Sequence, residues 1–159
     1  MVTVVAPRTL RPALVVSLVG FAWWFFGNLY EAVVISPNWV TDSPAQLTRL
    51  HEFFVVTGPT LYFIPANPVA VVVFWAALVI GRRVLPRRLA AAALVASVLL
   101  VALTAVIVAV LVRGLFGADY LDHADRLVDY ARWWNVANAV RMALTATCLV
   151  LVWRMLRRL

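Results

Sequence analysis

Four long apolar stretches, separated by polar connections, dominate the pattern along the chain. They cover about residues 12–35, 59–81, 89–112 and 133–156. Each reaches the roughly 20 residues that an α-helix needs to cross about 30 Å of hydrocarbon. The pattern therefore predicts an all-α fold, in which residues 1–159 form a single membrane domain built as a four-transmembrane-helix bundle.

Two of the connections carry further helical patterns. In the first, the run from Asp42 to Gln46 provides an N-cap followed by Pro44 at the first helical position, and apolar residues recur at helical spacing to about residue 56. The third connection, residues 119–132, alternates apolar residues with acids in the same way. Both are predicted to be short amphipathic helices that cover one end of the bundle.

The second and third spans differ in regularity. Prolines interrupt the first half of the second span, and Asn67 ahead of Pro68 resembles a new helix N-cap. A bilayer tolerates broken backbone only where it faces protein or water, so we expect the segment from Pro65 to Pro68 to line a cavity. In the third span, the spacing of Ala93 and Ser97 favours close helix packing.

Composition and charge support the membrane assignment. Hydrophobic residues make up 65% of the chain and charged residues 13%, against about 45–50% and 25% in soluble domains. The single cysteine, Cys148, excludes an intramolecular disulfide or a thiolate cluster. All basic residues are arginines that flank the apolar runs, which argues against nucleic acid as a partner. The first span is long enough to be a retained helix rather than a signal peptide.

The arginines also predict the orientation. The N-terminal segment, the second connection and the C-terminal segment contain arginines and no acid, whereas all seven acids lie in or beside the first and third connections. The positive-inside rule therefore places both termini in the cytoplasm of a multi-pass protein of the cell membrane.

Polar residues inside the spans are the candidates for chemistry. The first span carries Asn28 and Glu31, and the fourth carries Asn135, Asn138 and Arg141 at intervals of three. A charge at bilayer depth costs about 2.5–3.5 kcal/mol, so such residues face the bundle interior. A rise of about 1.5 Å per residue brings the two sets to one level. There Glu31 and Arg141 either touch, which favours an ionised Glu31, or are separated by asparagine or water, which allows a protonated Glu31.

This polar group has two interpretations: a buried ion pair that fixes helix register, or a pocket for a ligand or reaction. Trp39, Trp133 and Trp153 are expected in an interfacial belt, whereas the aromatics near Trp24 lie too deep for one. An aromatic-walled pocket with one carboxyl group suits a flat or polyene-like lipophilic substrate. The predicted substrate-binding residues are Asn28, Asn138, Asn135, Trp24, Tyr30, Asn67 and Trp134.

Two histidines lie in the connections. His51 and Glu52 are near the expected pocket mouth, and His123 follows Asp119 in the other connection. Two histidines and a carboxylate are a known metal-ligand set, but the spacing matches no zinc signature. We therefore predict no metal and assign His51 to proton transfer, while metal binding by His51 and His123 stays an open alternative.

Short motifs spread over most of the chain carry a family resemblance. They are Tyr30-Glu31-Ala32-Val33-Val34, Pro37-Asn38-Trp39, Phe53-Phe54, Gly58-Pro59, Tyr62-Phe63, Pro65, Pro68, and Trp134-Asn135 with Asn138 and Arg141. In these motifs the chain resembles the anthrone-oxygenase-like family of small four-helix integral membrane proteins. The resemblance implies an intramembrane enzyme of aromatic or polyketide-type metabolism without flavin or haem, and points to Glu31, Asn138 and Arg141. A second similarity is to small membrane-bound terpene cyclases, which use a carboxylic acid and aromatic walls.

The resulting hypothesis is a cofactor-free membrane enzyme of biosynthesis or secondary metabolism that acts on a lipophilic small molecule. Glu31 is the general acid or base, Arg141 tunes it or holds an oxyanion, and asparagines orient the substrate. Oxygenation and proton-initiated cyclisation both fit. The alternative is a non-enzymatic membrane subunit that binds lipid or a partner protein through the small-residue face of the third span. A homo-oligomer is compatible with either reading, and a transporter would require one.

Overall fold

The computed structural model describes residues 7–159, so residues 1–6 of the predicted domain lie outside the described residues. The described chain is helical, with no β-strand among residues 7–159. Its α-helices are α1 (Leu10–Tyr30), α2 (Pro37–Val40), α3 (Ser43–Phe53), α4 (Pro59–Phe63), α5 (Ala66–Ile80), α6 (Arg87–Val106), α7 (Arg113–Phe116) and α8 (Leu127–Leu156). Two π-helical segments, Glu31–Ile35 and Ile107–Val112, and a 3₁₀ segment, Tyr120–Arg126, complete the set.

Four spans are long and apolar enough to cross a membrane. They are Leu10–Ile35, Pro59–Ile80, Arg87–Phe116 and Tyr120–Leu156. This confirms the predicted all-α bundle of four membrane-length helices. The first two spans begin and end close to the predicted positions, whereas the third and fourth extend further toward the connection between them.

The helices pack in the order α5, α1, α8, α6 around the bundle. α1 packs extensively against α5 and α8, and α6 packs against α8, while α5 and α6 meet along a weaker seam. We call the end that carries Pro7, residues 81–86 and Leu159 the arginine end. There the core is apolar and tight: Phe21 meets Phe74 edge-on at 5.3 Å, and α1 approaches α5 so closely at Gly20 that a Cβ would overlap Ala70.

The third span uses its small residues inside the bundle. Ala93 and Ser97 are fully buried, and the Ser97 hydroxyl accepts a hydrogen bond from Trp75 Nε1 across the α5–α6 seam at 2.9 Å. The predicted close packing at these two residues is therefore directed at neighbouring helices of the same chain.

The opposite end, which we call the capped end, is covered by α2, α3 and the 3₁₀ segment. Its core includes Trp39, Leu47, Leu115 and Trp134. Trp39 is 1% exposed, so the expected place of Trp39 in an interfacial belt was wrong. The reason is that α2 turns the chain back over the bundle end and seats the indole edge-on against Trp134, with ring centroids 4.6 Å apart.

Both connections differ from the prediction in detail. α3 begins at Ser43, and Asp42 has a left-handed backbone with φ of 50° and makes no side-chain cap, because the chain reverses direction there. The hydroxyl of Ser43 donates instead to the carbonyl of Trp39. In the other connection the separate surface helix is replaced by the 3₁₀ segment and the first turns of α8, which begins at Leu127.

The proline segment of the second span was also misinterpreted. α4 and α5 are separated by Ile64 and Pro65, which keep right-handed helical dihedrals. Pro65 and Pro68 lie on the exposed outer face, whereas Asn67 is 8% exposed and faces inward. Since successive helical residues are about 100° apart, burial of Asn67 turns both prolines outward. The cavities lie instead next to α4.

Candidate functional site

Two cavities lie at the capped end. The smaller, of about 220 Å³, is lined by Glu31, Trp39, His51, Pro59, Val112 and Trp134 among others, and we call it the inner cavity. The larger, of about 560 Å³, is lined by Phe26, Tyr30, Glu31, Phe53, Tyr62 and Phe63 among others, and we call it the lateral cavity. Glu31, Phe54, Gly58 and Pro59 line both cavities. The two cavities are therefore neighbours, and Glu31 is the one ionisable residue among the four that they share.

The first span changes from an α-helix to a π-helix at Glu31. The Ser36 N–H donates to the carbonyl of Glu31, five residues earlier, at 2.7 Å. In the third span, Arg113 N–H makes the same five-residue bond to Val108, and the last residue of that π segment, Val112, lines the inner cavity. π-Helical turns inside α-helices occur frequently at functional sites. Two such turns border the inner cavity, and the sequence analysis missed both.

A buried hydrogen-bonded network joins the first and fourth spans on the side of Glu31 that faces the arginine end. Arg141 donates to Asn138 Oδ1 from Nε at 3.1 Å and from Nη2 at 2.7 Å. Asn138 Nδ2 donates to the carbonyl of Asn28 at 3.2 Å, and Asn28 Nδ2 donates to the carbonyl of Trp24 at 2.8 Å. Asn28 and Asn138 are fully buried and Arg141 is 6% exposed. The two polar stripes therefore meet at one level.

Glu31 and Arg141 do not form a direct ion pair. The ion pairs found within residues 7–159 lie on the surface and join Arg126 to Asp125 and Arg132 to Asp129. The Arg141 guanidinium binds Asn138 and lies 5.8 Å from the centre of the Trp134 ring. The sequence left two alternatives, in which Glu31 and Arg141 either touch or are separated. The structure has the second arrangement, in which they do not touch.

Some of the other predicted site residues line a cavity and others do not. Trp134 lines the inner cavity and Tyr30 the lateral cavity. Asn135 accepts a hydrogen bond from Ser36 and so ties the first π segment to α8. Trp24 packs in the apolar core, and Asn67 is buried on α5. Of the cavity-lining residues within the described chain, none is Trp24, Asn67 or Arg141.

The two histidines have different surroundings. His51 is half-buried on α3 and lines the inner cavity. Its ring stacks on Tyr120 at 4.1 Å and on Phe116 at 5.6 Å, and Nε2 lies 3.3 Å from the carbonyl oxygen of Leu115. His123 is exposed in the 3₁₀ segment. Among residues 7–159 no three metal-binding side chains are grouped together.

Trp39 is the main residue of the site that sequence reasoning missed. It lines the inner cavity, and its indole Nε1 is buried without a hydrogen-bond partner in the described part of the chain. The available signal was the helix start at Pro37 and Asn38, which folds the segment over the bundle end. The inner cavity is therefore bordered by a tryptophan whose own polar atom is enclosed by protein, and its lining also includes Glu31 and His51.

The fold and the site together define an all-α membrane protein. Its polar site lies at the end of the bundle that short helices cover. Comparisons of the chain with protein-family models, with curated proteins and with solved structures give no match. The chemistry of the site is therefore inferred from its own residues: a buried glutamate that lines two cavities, a half-buried histidine and aromatic walls.

Proposed function

We propose that this protein is an integral membrane enzyme that acts on a lipophilic small molecule by acid–base chemistry at Glu31. One observation carries the proposal: Glu31 is 8% exposed and lines both cavities. Arg141 binds Asn138 instead, so the carboxyl group stays accessible to a ligand. Intramembrane ionisable residues are expensive and are generally kept for function.

As a base, Glu31 suits cofactor-free oxygenation of an anthrone-type substrate. An ionised Glu31 removes a proton from the activated ring carbon, and the resulting carbanion delivers its electrons to dioxygen, the second substrate. The peroxide then loses water. The substrate gives up two hydrogens and keeps one oxygen atom, and the second oxygen atom leaves as water. The resemblance to the anthrone-oxygenase-like family favours this reaction.

As an acid, Glu31 suits proton-initiated cyclisation of an isoprenoid. A protonated Glu31 donates its proton to a double bond or epoxide, the carbocation closes a ring, and a proton is lost at the end. The reaction is an isomerisation, with no change of mass. The aromatic rings of Phe26, Tyr30 and Phe63 beside Glu31 favour this chemistry, since the faces of aromatic rings attract cations.

Other residues position Glu31 or relay its proton. Asn135 holds the π segment that begins at Glu31 through Ser36, and Asn28 and Asn138 fix the level of the first span against α8. Arg141 is a positioning residue that acts through Asn138. His51 faces the same inner cavity and is the candidate group for exchanging protons with solvent at the capped end.

The arginine distribution supports an orientation in the cell membrane with both termini in the cytoplasm. In that orientation the capped end, Glu31 and both cavities belong to the half of the bilayer away from the cytoplasm. The rival role, as a non-enzymatic subunit, was expected to use the small-residue face of the third span and the helical cap. Ala93 and Ser97 are fully buried within the bundle and therefore do not support it, which leaves the helical cap as its docking surface.

The test uses the full chain in lipid nanodiscs with two substrates, an anthrone under air and a linear isoprenoid epoxide. Products are followed by liquid chromatography and mass spectrometry. Oxygenation gives a mass gain of one oxygen less two hydrogens, and cyclisation gives an isomer of changed retention time. Glu31→Gln is expected to lower turnover by at least about a hundredfold, since general acid–base catalysis contributes about 10²–10⁴-fold.

Glu52→Gln is the matched control, because Glu52 is an exposed carboxyl group on α3 and is expected to leave turnover unchanged. Both variants should be membrane-inserted and folded. Full activity of Glu31→Gln, or no turnover of either substrate class by the unmodified protein, would overturn the proposed function.

A further inference from the structure

The connection between α3 and α4 exposes apolar side chains outside the four spans. Phe53, Val55 and Val56 are 77%, 78% and 92% exposed, and the second span begins only at Pro59. Residues 53–58 include no charged side chain. Contiguous exposed apolar side chains mark contacts with a protein or a membrane. We call residues 53–56 the apolar tip, and ask which of these two it contacts.

The apolar tip is continuous with the lipid-facing surface of the bundle. Phe53 lines the lateral cavity together with Phe26 and Tyr30 of the first span, and both of these side chains are exposed. Beyond the tip, Leu61 of the second span is exposed as well. Exposed apolar side chains of membrane-spanning helices face lipid tails, which are as apolar as leucine. The same lipid therefore reaches the tip.

The helix before the tip has the polarity expected at a membrane surface. Leu47 of α3 packs in the core of the capped end, whereas Arg49 and Glu52 are exposed. Exposed side chains change from charged to apolar between Glu52 and Phe53. A helix with a charged outer face that ends in apolar residues suits the boundary between water and hydrocarbon.

We infer that the apolar tip is inserted in the bilayer and that the lateral cavity opens into the hydrocarbon. Phe53 and Thr57 are exposed residues that line this cavity, and we call their border its opening. Because the opening adjoins the tip, the depth of the tip sets the depth of the opening. A lipophilic molecule then passes between the bilayer and the site without crossing water. Only this last step rests on the proposed function, because it gives the route of the substrate.

The test measures the depth of single spin labels by electron paramagnetic resonance. Oxygen concentrates in hydrocarbon, whereas the neutral complex nickel ethylenediaminediacetate stays in water, so the ratio of the two accessibilities reports depth. The full chain in phosphatidylcholine nanodiscs carries one label, introduced by Val56→Cys or Thr57→Cys. The unmodified chain is the blank, because its single cysteine, Cys148, is fully buried.

Two further labels provide the references. Val19→Cys reports hydrocarbon, because Val19 is exposed on the first span, and Arg49→Cys reports the charged face of α3. We expect the ratio of oxygen to nickel accessibility at Val56 and Thr57 to be close to that at Val19. It should be well above the ratio at Arg49.

A charge placed in the tip tests whether the tip holds the opening in the bilayer. Val56→Asp is expected to raise the nickel accessibility of the label at Thr57, because a carboxylate is costly in hydrocarbon. Ala45→Asp is the matched control, since Ala45 is exposed one turn before Arg49 on the same face of α3. It should leave the label at Thr57 unchanged.

The possible failures are distinguishable. A ratio at Val56 and Thr57 like that at Arg49 would overturn the inference even if turnover depends on Glu31. Low accessibility to both reagents would place protein over the tip, such as a second copy of the chain, and would overturn it equally. An unchanged label after Val56→Asp would show that the tip does not set the depth of the opening. A hydrocarbon-like ratio without turnover of either substrate class would overturn the proposed enzyme and leave the inserted tip standing.

Discussion

At the arginine end the four spans meet mainly through apolar side chains such as Leu14, Phe21 and Phe74, each fully buried. Toward the capped end the first and fourth spans meet through Asn28 and Asn138, and two cavities lie at that end. The first region gains stability from close packing. The second is less tightly packed, and buried hydrogen bonds between the asparagines and Arg141 hold the first and fourth spans together there.

The contrast explains where function can reside in a bundle this small. Lipid is as apolar as the helices, so packing and interhelical hydrogen bonds hold a membrane bundle together. A tightly packed end lets the opposite end diverge without separating the spans. The weak seam between α5 and α6 is bridged by Trp75 and Ser97, and the inner cavity lies between Pro59 of the second span and Val112 of the third.

The largest effect is expected from removing the polar contact between the first and fourth spans. Arg141→Ala eliminates both hydrogen bonds to Asn138 Oδ1 and leaves that buried acceptor unpaired. We expect a loss of about 3 kcal/mol in the free energy of unfolding, as for a buried hydrogen bond to a charged group. The measurement is reversible unfolding in mixed detergent micelles.

Arg154→Ala is the matched control for that substitution, because Arg154 is an exposed arginine on the same helix at the arginine end. Its removal should change the unfolding free energy little. Equal stabilities of the two variants would show that the polar network does not hold the first and fourth spans together.

Two leucine truncations compare the packing of the two ends. Leu14 is fully buried near the start of α1 at the arginine end, so Leu14→Ala is expected to destabilise the protein by about 2 kcal/mol through a new cavity. Leu50 already borders the inner cavity and loses fewer contacts on truncation. For Leu50→Ala we expect about 1 kcal/mol or less, measured in the same unfolding experiment. A larger cost at Leu50 would contradict the assignment of the capped end as the loosely packed one.

The sequence predicted the features that the bilayer and the helix repeat dictate. Backbone hydrogen bonding inside lipid restricts the chain to helices, so apolar length alone was enough for the four spans. The constant rise of a helix brought Asn28 and Asn138 to one level, as observed. Both results depend on local regularity, which a single sequence contains.

The features that were missed depend on contacts between distant segments. The π turn at Glu31 is held by Ser36 bound to Asn135, and Trp39 becomes buried because α2 folds back over α8. The outward direction of Pro65 and Pro68 follows from Asn67 facing inward, a choice that helix packing makes. Neither residue spacing nor composition carries this information.

Two glycines on α1 give the smallest and most direct comparison of the two ends. At Gly20 a methyl group would overlap Ala70 Cβ and come within 3.3 Å of Ala70 Cα, so α1 and α5 must move apart. At Gly27 it would lie 2.5 Å from Tyr62 Cε1 and 2.7 Å from Phe63 Cε1, and these ring edges can shift into the lateral cavity that they line. We therefore expect Gly20→Ala to cost about 1–2 kcal/mol and Gly27→Ala less than about 1 kcal/mol. Thermal unfolding of both variants provides the measurement, and a greater loss of stability at Gly27 would show that the lateral cavity leaves Tyr62 and Phe63 no room to move.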